Sequence, residues 1–489
     1  RSCRSSLASL VARVARRSRR SSIMAELVAE EATVCVSREE EEEGDVAASV
    51  EACVRRSAAV QAEPRTSSEE EAEPYRQQYA ARRILEEGLA ELEEGRPLLR
   101  ARLEVRLGAI GNDVEEPHTA EKWLKRAMSV LAPTCWEAAA REQEGFDATK
   151  LAALAHLEQD TLLSLNHAAV LWTGRGEQRR ALRLLQVAEA CYLGGGAGRD
   201  IDDLHTHTLF YLAQVHASLG DAAASSAYCR ETLQRQLLDD LVRPEYDAHE
   251  WGRNALGLAS YYAKTGAFRS AASSIRAAMR VAQSLKPQEK TAELVADVWR
   301  AWGDLHARAL AGEQPSDDDE PAFTGDEPTK QQLKEHPLRE EIVDLASALP
   351  IFREARFAFE RAAEYYLLDG WVTDFVALMR GVSGLYKDLA DHFETDHRRR
   401  QAMRERRREL LEPLCEILNA KVYADLKAVL YFELGELNSE LLTAKERNQQ
   451  EWKPAALRKC MIFRDRAIAA YDSFVGICSD DGVSFTAGA

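Results

Sequence analysis

Residues 212–229 read LAQVHASLGDAAASSAYC and contain the pattern from which the fold can be predicted. Apolar residues recur at intervals of three and four before and after Gly220, which is typical of two amphipathic helices joined by a tight turn. Related stretches surround Gly176 and Gly266, which lie 44 residues before and 46 residues after Gly220. The sequence therefore contains an internal repeat of a helical hairpin.

Equivalent positions in the three stretches carry small residues, which allow two helices to approach closely and allow each hairpin to stack on the next. The two positions of each pair are twelve residues apart, at Ala169 and Ala181, Ala213 and Ser225, and Ala259 and Ala271. The spacing resembles the tetratricopeptide repeat, with a period longer than its usual length of about 34 residues. We therefore predict an all-α fold, a tetratricopeptide-like helical solenoid.

The rest of the chain supports a helical fold in two halves. Ala, Leu, Glu and Arg dominate, and no sustained two-residue alternation of apolar and polar residues predicts a β-sheet. The acidic, proline-bearing stretch 312–345 is predicted to be a linker between an N-terminal solenoid, 73–311, and a C-terminal helical half, 346–489. The sequence stops without a closing amphipathic helix, so we expect the C-terminal half to be incomplete.

Residues 1–72 are predicted to be a disordered extension, basic at first and then acidic. Residues 1–23 contain seven Arg and no acidic residue, whereas the run Glu39–Glu43 begins a strongly acidic part. The Arg- and Ser-rich start fits either an organelle transit peptide or translated upstream sequence preceding Met24. The sequence alone leaves both interpretations open.

Charge and cysteine content exclude several classes of protein. The net charge is −17, and the part that begins at Met24 carries −24, so the chain is not predicted to bind nucleic acid or to insert into a membrane. An acidic surface of this size favours a basic partner. The nine cysteines form no CxxC pair, which fits reduced thiols in the cytoplasm.

No motif indicates an enzyme, a cofactor or a metal site. The phosphate-binding, dinucleotide-binding and nucleophile-elbow motifs are all missing. His205 and His207 are spaced like half of a metal site, but no further ligands accompany them, so we interpret them as the start of a helix. The arginine-rich stretch 398–408 is interpreted mainly as a solvated or internally paired helix face. We predict no catalytic residues.

Several segments are similar to the KIF-binding protein (kinesin-binding protein) family, in order and with matching spacing from about residue 73 to about residue 475. They are 73–87 (EPYRQQYAARRILEE), 208–215 (TLFYLAQV), 231–237 (ETLQRQL), 250–255 (EWGRNA), 368–374 (LDGWVTD), 393–396 (FETD) and 411–414 (LEPL).

The resemblance implies a non-enzymatic regulator of microtubule-based transport, mitochondrial transport included. Members of the family are right-handed solenoids of tetratricopeptide-like repeats. They clamp kinesin motor domains over the basic, microtubule-binding face, so that the motors cannot attach to microtubules. The expected location is the cytoplasm, in association with the cytoskeleton, and microtubules are expected to be affected only indirectly.

Four residues are predicted to contact the partner. Tyr211 and Gln214 lie three apart on the first helix of the Gly220 hairpin, away from its packing positions, and His207 lies one turn earlier. The resemblance adds Gln236, and it also assigns the Tyr and the Gln of this motif to the motor-contacting surface. A simpler interpretation is that Tyr211 and Gln214 only line the groove.

Two other functions stay open. One is a general tetratricopeptide scaffold that binds peptides, although such a groove usually offers Lys, Asn or Arg to a C-terminal carboxylate. The other is an organelle-transport adaptor, for which residues 1–23 would be meaningful.

Overall fold

The structure is a computed structural model. It describes residues 38–63, 73–92, 95–141, 146–155, 159–195, 199–238, 241–313, 322–323, 342–447 and 454–480. The chain divides into two compact units, Arg1–Asp247 and Ala248–Ala489. Within the described residues, no helix combines the length and the apolar composition that crossing a membrane requires.

The first unit has ten helices in its described part. They are α1 (Arg38–Gln61), α2 (Arg76–Glu91), α3 (Pro97–Asp113), α4 (Pro117–Leu131), α5 (Cys135–Ala140), α6 (Ala148–Ala152), α7 (Gln159–Gly174), α8 (Gln178–Gly194), α9 (Arg199–Leu219) and α10 (Ala222–Arg235). A short antiparallel hairpin follows, with strands β1 (Leu237–Leu238) and β2 (Leu241–Val242). This hairpin has only two residues in each strand, so it is a local exception within a fold that is otherwise all-α, as predicted.

The second unit has eight helices in its described part. They are α11 (Ala248–Lys264), α12 (Phe268–Ser284), α13 (Glu289–Leu310), α14 (Leu345–Ala363), α15 (Val372–Asp388), α16 (His397–Ile417), α17 (Ala424–Arg447) and α18 (Pro454–Asp480). One π-helical turn, Leu389–Phe393, extends the end of α15.

Both units are built from helical hairpins packed side by side. In the first unit the hairpins α3–α4, α7–α8 and α9–α10 stack so that α3, α7 and α9 contact one another in order. We call these three helices the A layer of the first unit. In the second unit α11, α13 and α15 contact one another in the same way. The predicted tetratricopeptide-like solenoid class is confirmed.

The repeated glycines end their helices in the same way. Gly176, Gly220 and Gly266 have φ angles of 83°, 83° and 79°, a conformation that favours glycine. After each glycine, the next N–H donates to a carbonyl oxygen five residues back, at 2.9 to 3.0 Å. Gly312, 46 residues after Gly266, repeats this turn with φ 86° and a 3.2 Å bond from the Glu313 N–H to the Arg308 carbonyl. The repeat thus extends one hairpin beyond the three that the sequence pattern predicted.

The predicted disorder of residues 1–72 is wrong for residues 38–61, which form α1. Val46, Val50, Cys53 and Val54 follow a helical spacing and pack into a core with α2 and α3. The acidic run Glu39–Glu43 lies at the N-terminus of α1, where negative charge is favourable to a helix. The local charge predicted a disordered extension, but the apolar residues that follow the acidic run pack into the core and stabilise α1. Residues 1–37 and 64–72 lie outside the described residues.

The two compact units divide at a different place from the predicted linker. Helices α13 and α14, on either side of residues 312–345, pack against each other inside the second unit. Within the stretch, Ala322 and Phe323 are buried, and both of their N–H groups donate to the Ser273 hydroxyl, at 2.8 and 3.3 Å. Most of the stretch lies outside the described residues, so its role as a linker stays a prediction.

The arginine-rich stretch 398–408 lies in α16 and is paired within the chain. Arg404 reaches Glu440 of α17 at 3.0 Å, and the buried Arg407 lies 3.6 Å from both Glu433 and Glu440. Arg408 pairs with Glu405 at 3.1 Å. The interpretation of this stretch as an internally paired face is confirmed.

Candidate partner-binding surface

His207, Tyr211 and Gln214 lie on one face of α9. Their spacing of four and three residues places them on successive turns, and each side chain is half-buried. The neighbouring positions Leu212 and Val215 are fully buried in the core of the first unit. Because Leu212 and Val215 are held in the core, the rotation of α9 about its axis is fixed. The face that carries Tyr211 and Gln214 therefore has a defined orientation beside the core.

Two of these groups are uncharged at neutral pH despite their contact with solvent. Burial raises the pKa of the Tyr211 phenol to about 12, and the negative charge of Asp113 on α3 adds to this effect. Burial also lowers the pKa of His207. Both side chains can therefore offer apolar area and hydrogen bonds to a partner without carrying a charge.

Gln236 lies at a different point of the α9–α10 hairpin. Its N–H donates to the Thr232 carbonyl at 3.1 Å, and its carbonyl accepts from the Arg243 N–H at 3.0 Å. The Arg243 guanidinium is 3.6 Å from Asp203, which precedes Tyr211 by eight residues. Eight residues correspond to about 12 Å along a helix. Gln236 thus lies towards the N-terminal end of α9, whereas Tyr211 and Gln214 lie towards its C-terminal end.

Two further polar residues of the A layer belong to this surface and were not predicted. His167 on α7 is half-buried, and burial lowers its pKa to about 4, assisted by its electrostatic interaction with His207 and by the positive charge of Arg106. Its carbonyl accepts a 2.9 Å hydrogen bond from the side chain of Asn112, the residue before Asp113. We call His167, His207, Tyr211, Gln214 and Asp113 the A-layer polar surface.

The repeat register contains the signal that would have identified His167. His167 lies nine residues before Gly176, and Tyr211 lies nine residues before Gly220. In the third repeat the same position is Gly257, which is exposed, and a Cβ atom there would have nothing within 4 Å. Equivalent positions of stacked hairpins lie in the same layer of helices. A surface position that is known in one repeat therefore identifies the corresponding surface position in the next repeat.

The pair Arg102 and Arg106 holds α3 against α7. Arg102 Nε is 2.7 Å from one oxygen of Asp160, and Arg106 Nη1 is 2.6 Å from the other. Burial alone would raise the pKa of Asp160, but the charges and hydrogen bonds of the two arginines bring it below its usual value. The spacing of α3 and α7, and with it that of Asp113 and His167, depends on this buried ion pair.

His205 and His207 do not converge on one site. His205 is buried, and its ring stacks on Tyr192 with centroids 3.7 Å apart. Residues two apart on a helix point in different directions, so His207 faces elsewhere. In the part of the chain that the structure describes, no group of three or more His, Cys, Asp or Glu side chains is arranged to hold a metal ion.

The buried histidine makes the first unit sensitive to acid. Burial lowers the pKa of His205 to about 4, and the positive charge of Arg235 lowers it further, whereas an unfolded chain has a histidine pKa of about 6.5. Between these values the unfolded state binds the proton and the folded state does not, so stability falls as the pH falls.

We expect His205 to account for a loss on the order of 3 kcal/mol between pH 6.5 and pH 4. Urea unfolding of the His205→Gln variant should show a correspondingly weaker pH dependence over this range. His118→Gln, at an exposed position, should keep the dependence of the unsubstituted chain. An unchanged slope in His205→Gln would rule out this histidine as the titrating group.

Comparisons with known proteins relate the chain to one family. The family model described as KIF-1 binding protein C terminal matches residues 249–487. A KIF-binding protein of Gallus gallus is 27% identical, over 83% of this chain and 78% of the relative, and one of Homo sapiens is 26% identical, over 77% and 74%. One of Danio rerio is 29% identical over 57% of this chain, and the match spans 55% of that relative.

A solved structure described as kinesin binding protein matches the fold. Its TM-score is 0.60 with 23% sequence identity, and the match covers 91% of this chain and 84% of the other. At this identity the likeness concerns the arrangement of helices.

Proposed function

We propose that the chain is a member of the KIF-binding protein family, that it binds kinesin motor domains and that it blocks their attachment to microtubules. The main support is the extent of the similarity, which runs through both compact units. The family model spans nearly the whole second unit, and the match to the Gallus gallus relative covers 83% of the chain. The names of these relatives describe binding proteins, so we propose a binding role and no catalysis.

We propose the A-layer polar surface as one contact region for the motor. Tyr211 offers a large ring at low entropy cost, and Gln214 offers an amide that both donates and accepts. His207, one turn before Tyr211, extends the contact along α9. Gln236 would add a second contact point near the other end of the same helix.

Charge supports a basic partner. The chain carries a net charge of −17, whereas the kinesin face that meets acidic microtubules is basic. Complementary charge accelerates association and suppresses wrong partners, and its effect falls as salt screens it. An acidic solenoid can therefore compete with the microtubule for the same motor face. The consequence would be control of microtubule-based transport by a cytoplasmic, cytoskeleton-associated protein.

The contact assignment predicts a loss of affinity on substitution. The double variant Tyr211→Ala/Gln214→Ala should bind a purified kinesin motor domain at least tenfold more weakly in biolayer interferometry, because truncation of the few hot-spot residues at the centre of an interface costs more than about 1 kcal/mol each. Gln236→Ala should weaken binding separately if the contact region reaches that end of α9. Circular dichroism and thermal unfolding would verify the fold of each variant.

A matched control is available on the neighbouring hairpin. Gln186 is also a half-buried glutamine, but it lies on α8, outside the A layer. Gln186→Ala should keep the unsubstituted affinity. If a motor binds the unsubstituted chain and the double variant equally well, Tyr211 and Gln214 are not the contact residues, although the binding function stands.

A further inference from the structure

Three aromatic rings form a cluster at the turn between α14 and α15. The centroids of Tyr365 and Tyr366 are 5.1 Å apart, and that of Trp371 lies 5.7 Å from Tyr365 and 5.3 Å from Tyr366. Trp371 belongs to the segment 368–374, one of those that resemble the family and one to which the proposed function assigns no role. The cluster lies entirely in the second unit.

The base of this cluster is held firmly by α13. Tyr366 is buried, and its hydroxyl donates to Asp297 Oδ1 at 2.6 Å. Arg300 pairs with Asp297 at 2.7 Å and with Asp374 at 2.8 Å, and its guanidinium lies 5.2 Å above the Tyr366 ring. Because these side chains are already held in place, a partner that binds here would cost little conformational entropy on their side of the interface.

The outer part of the cluster is open to solvent. Trp371 is 38% exposed, Tyr365 is half-buried, and Leu367 beside them is 54% exposed. Complete burial of Trp371 and Tyr365 would stabilise the fold further. A cluster of rings that stays exposed is typical of a surface that contacts another molecule. Trp has the strongest attraction for a cation over its ring face, followed by Tyr.

Carboxylates of α13 lie beside the same rings. Glu289, Glu293 and Asp297 are spaced four residues apart, so they occupy one face of the helix. Asp297 accepts a hydrogen bond from the Tyr366 hydroxyl at 2.6 Å, so this face of α13 is turned towards the cluster. Burial also raises the pKa of Tyr365, and the negative charges of these three residues raise it further. Arg300 already faces Asp297 and Asp374, which leaves Glu289 and Glu293 as the outer negative charges.

We propose that Trp371 and Tyr365, together with Glu289 and Glu293, bind a lysine or arginine side chain of a basic partner protein. The rings would provide the cation–π contact and the glutamates the opposite charge. The position of Arg300 over Tyr366 is an example of the same contact within the cluster. This site is separate from the A-layer polar surface and does not depend on the partner being a kinesin.

The test uses the full chain and a fluorescein-labelled, amidated peptide of alternating arginine and glycine, in anisotropy titrations at 150 mM salt. Trp371→Leu, which keeps an apolar side chain but removes the ring, should weaken binding about threefold to thirtyfold. Tyr365→Leu should act in the same direction, whereas Tyr365→Phe should keep the affinity. The same peptide with citrulline in place of arginine should bind more weakly than the arginine peptide.

Two controls separate this site from general attraction to an acidic chain. Phe432 on α17 is also an exposed aromatic residue, at 46%, and Phe432→Leu should leave the affinity unchanged. Glu293→Gln, which keeps the shape of a half-buried side chain and removes its charge, should weaken binding even if Trp371→Leu does not fold. Equal affinities of the unsubstituted chain and Glu293→Gln, equal affinities of the two peptides, or no binding at all would each overturn the proposal.

Discussion

Replacing Asp160 with alanine is expected to lower the free energy of unfolding by about 3–5 kcal/mol. Asp160 is 2% exposed and accepts from Arg102 and Arg106 at 2.7 and 2.6 Å. Its removal would leave the mostly buried Arg106 without its opposite charge, and the Nε atom of Arg106 already has no hydrogen-bond partner. A buried charge that loses its partner keeps its desolvation cost, which explains the large effect.

Urea unfolding of Asp160→Ala at several pH values tests this expectation. The pKa of Asp160 is lowered in the folded protein, so its contribution is complete above about pH 4, the value of an unfolded aspartate, and is lost as the pH falls through the lowered value. The difference from the unsubstituted chain should therefore be constant from pH 5 to 7. Asp465→Ala removes an exposed pair with Arg464 and should cost less than about 1 kcal/mol. Similar effects of the two substitutions would contradict the account of a buried ion pair.

Replacing Phe359 with alanine is expected to cost about 3–5 kcal/mol, because it creates a cavity where three helices meet. Phe359 on α14 is 2% exposed. Its ring fills the space beside Gly303 on α13, where a Cβ atom would lie 2.7 Å from a ring carbon, and beside Gly381 on α15, where it would lie 3.0 Å away. The two glycines therefore leave room for the ring, and the ring in turn joins the three helices.

Phe357 provides a matched control on the same helix. It is 48% exposed and has an edge contact with Trp299, at 5.6 Å between centroids. Phe357→Ala should cost about 1 kcal/mol or less in thermal or urea unfolding. A comparable loss for both variants would mean that the packing of α13, α14 and α15 does not depend on Phe359 as described.

The fold could be predicted from the sequence where the residues that favour a local turn also favour the packing of the hairpins. The turn glycines at 176, 220 and 266 end helices with positive φ, and the small residues around them permit close packing, so one pattern predicts both turn and stacking. Charge composition was less reliable. The acidic run before α1 indicated a tail, although the apolar stripe behind it packs into the core. In the acidic stretch that begins at Gly312, two described residues are buried against α12.

The candidate surface could be predicted only in part. Periodicity identifies the face of α9 that carries Tyr211 and Gln214, because helix geometry is local. Helix periodicity does not identify Asp113, since its proximity to α9 depends on how hairpins stack, and His167 becomes evident only when the register of one repeat is compared with that of the next. For the same reason, residues 368–374 gave no indication of the aromatic cluster with α13, whose members come from distant parts of the chain.

Microtubule co-pelleting of purified kinesin motor domains, with and without the chain from Met24 onwards, tests the proposed function directly. Increasing amounts of the chain should move a subset of motors from the pellet to the supernatant. The triple variant Tyr211→Ala/Gln214→Ala/Gln236→Ala, shown by circular dichroism to be folded, should leave those motors in the pellet. If the folded, unsubstituted chain leaves every kinesin of its own source organism on the microtubule, the proposed function is contradicted.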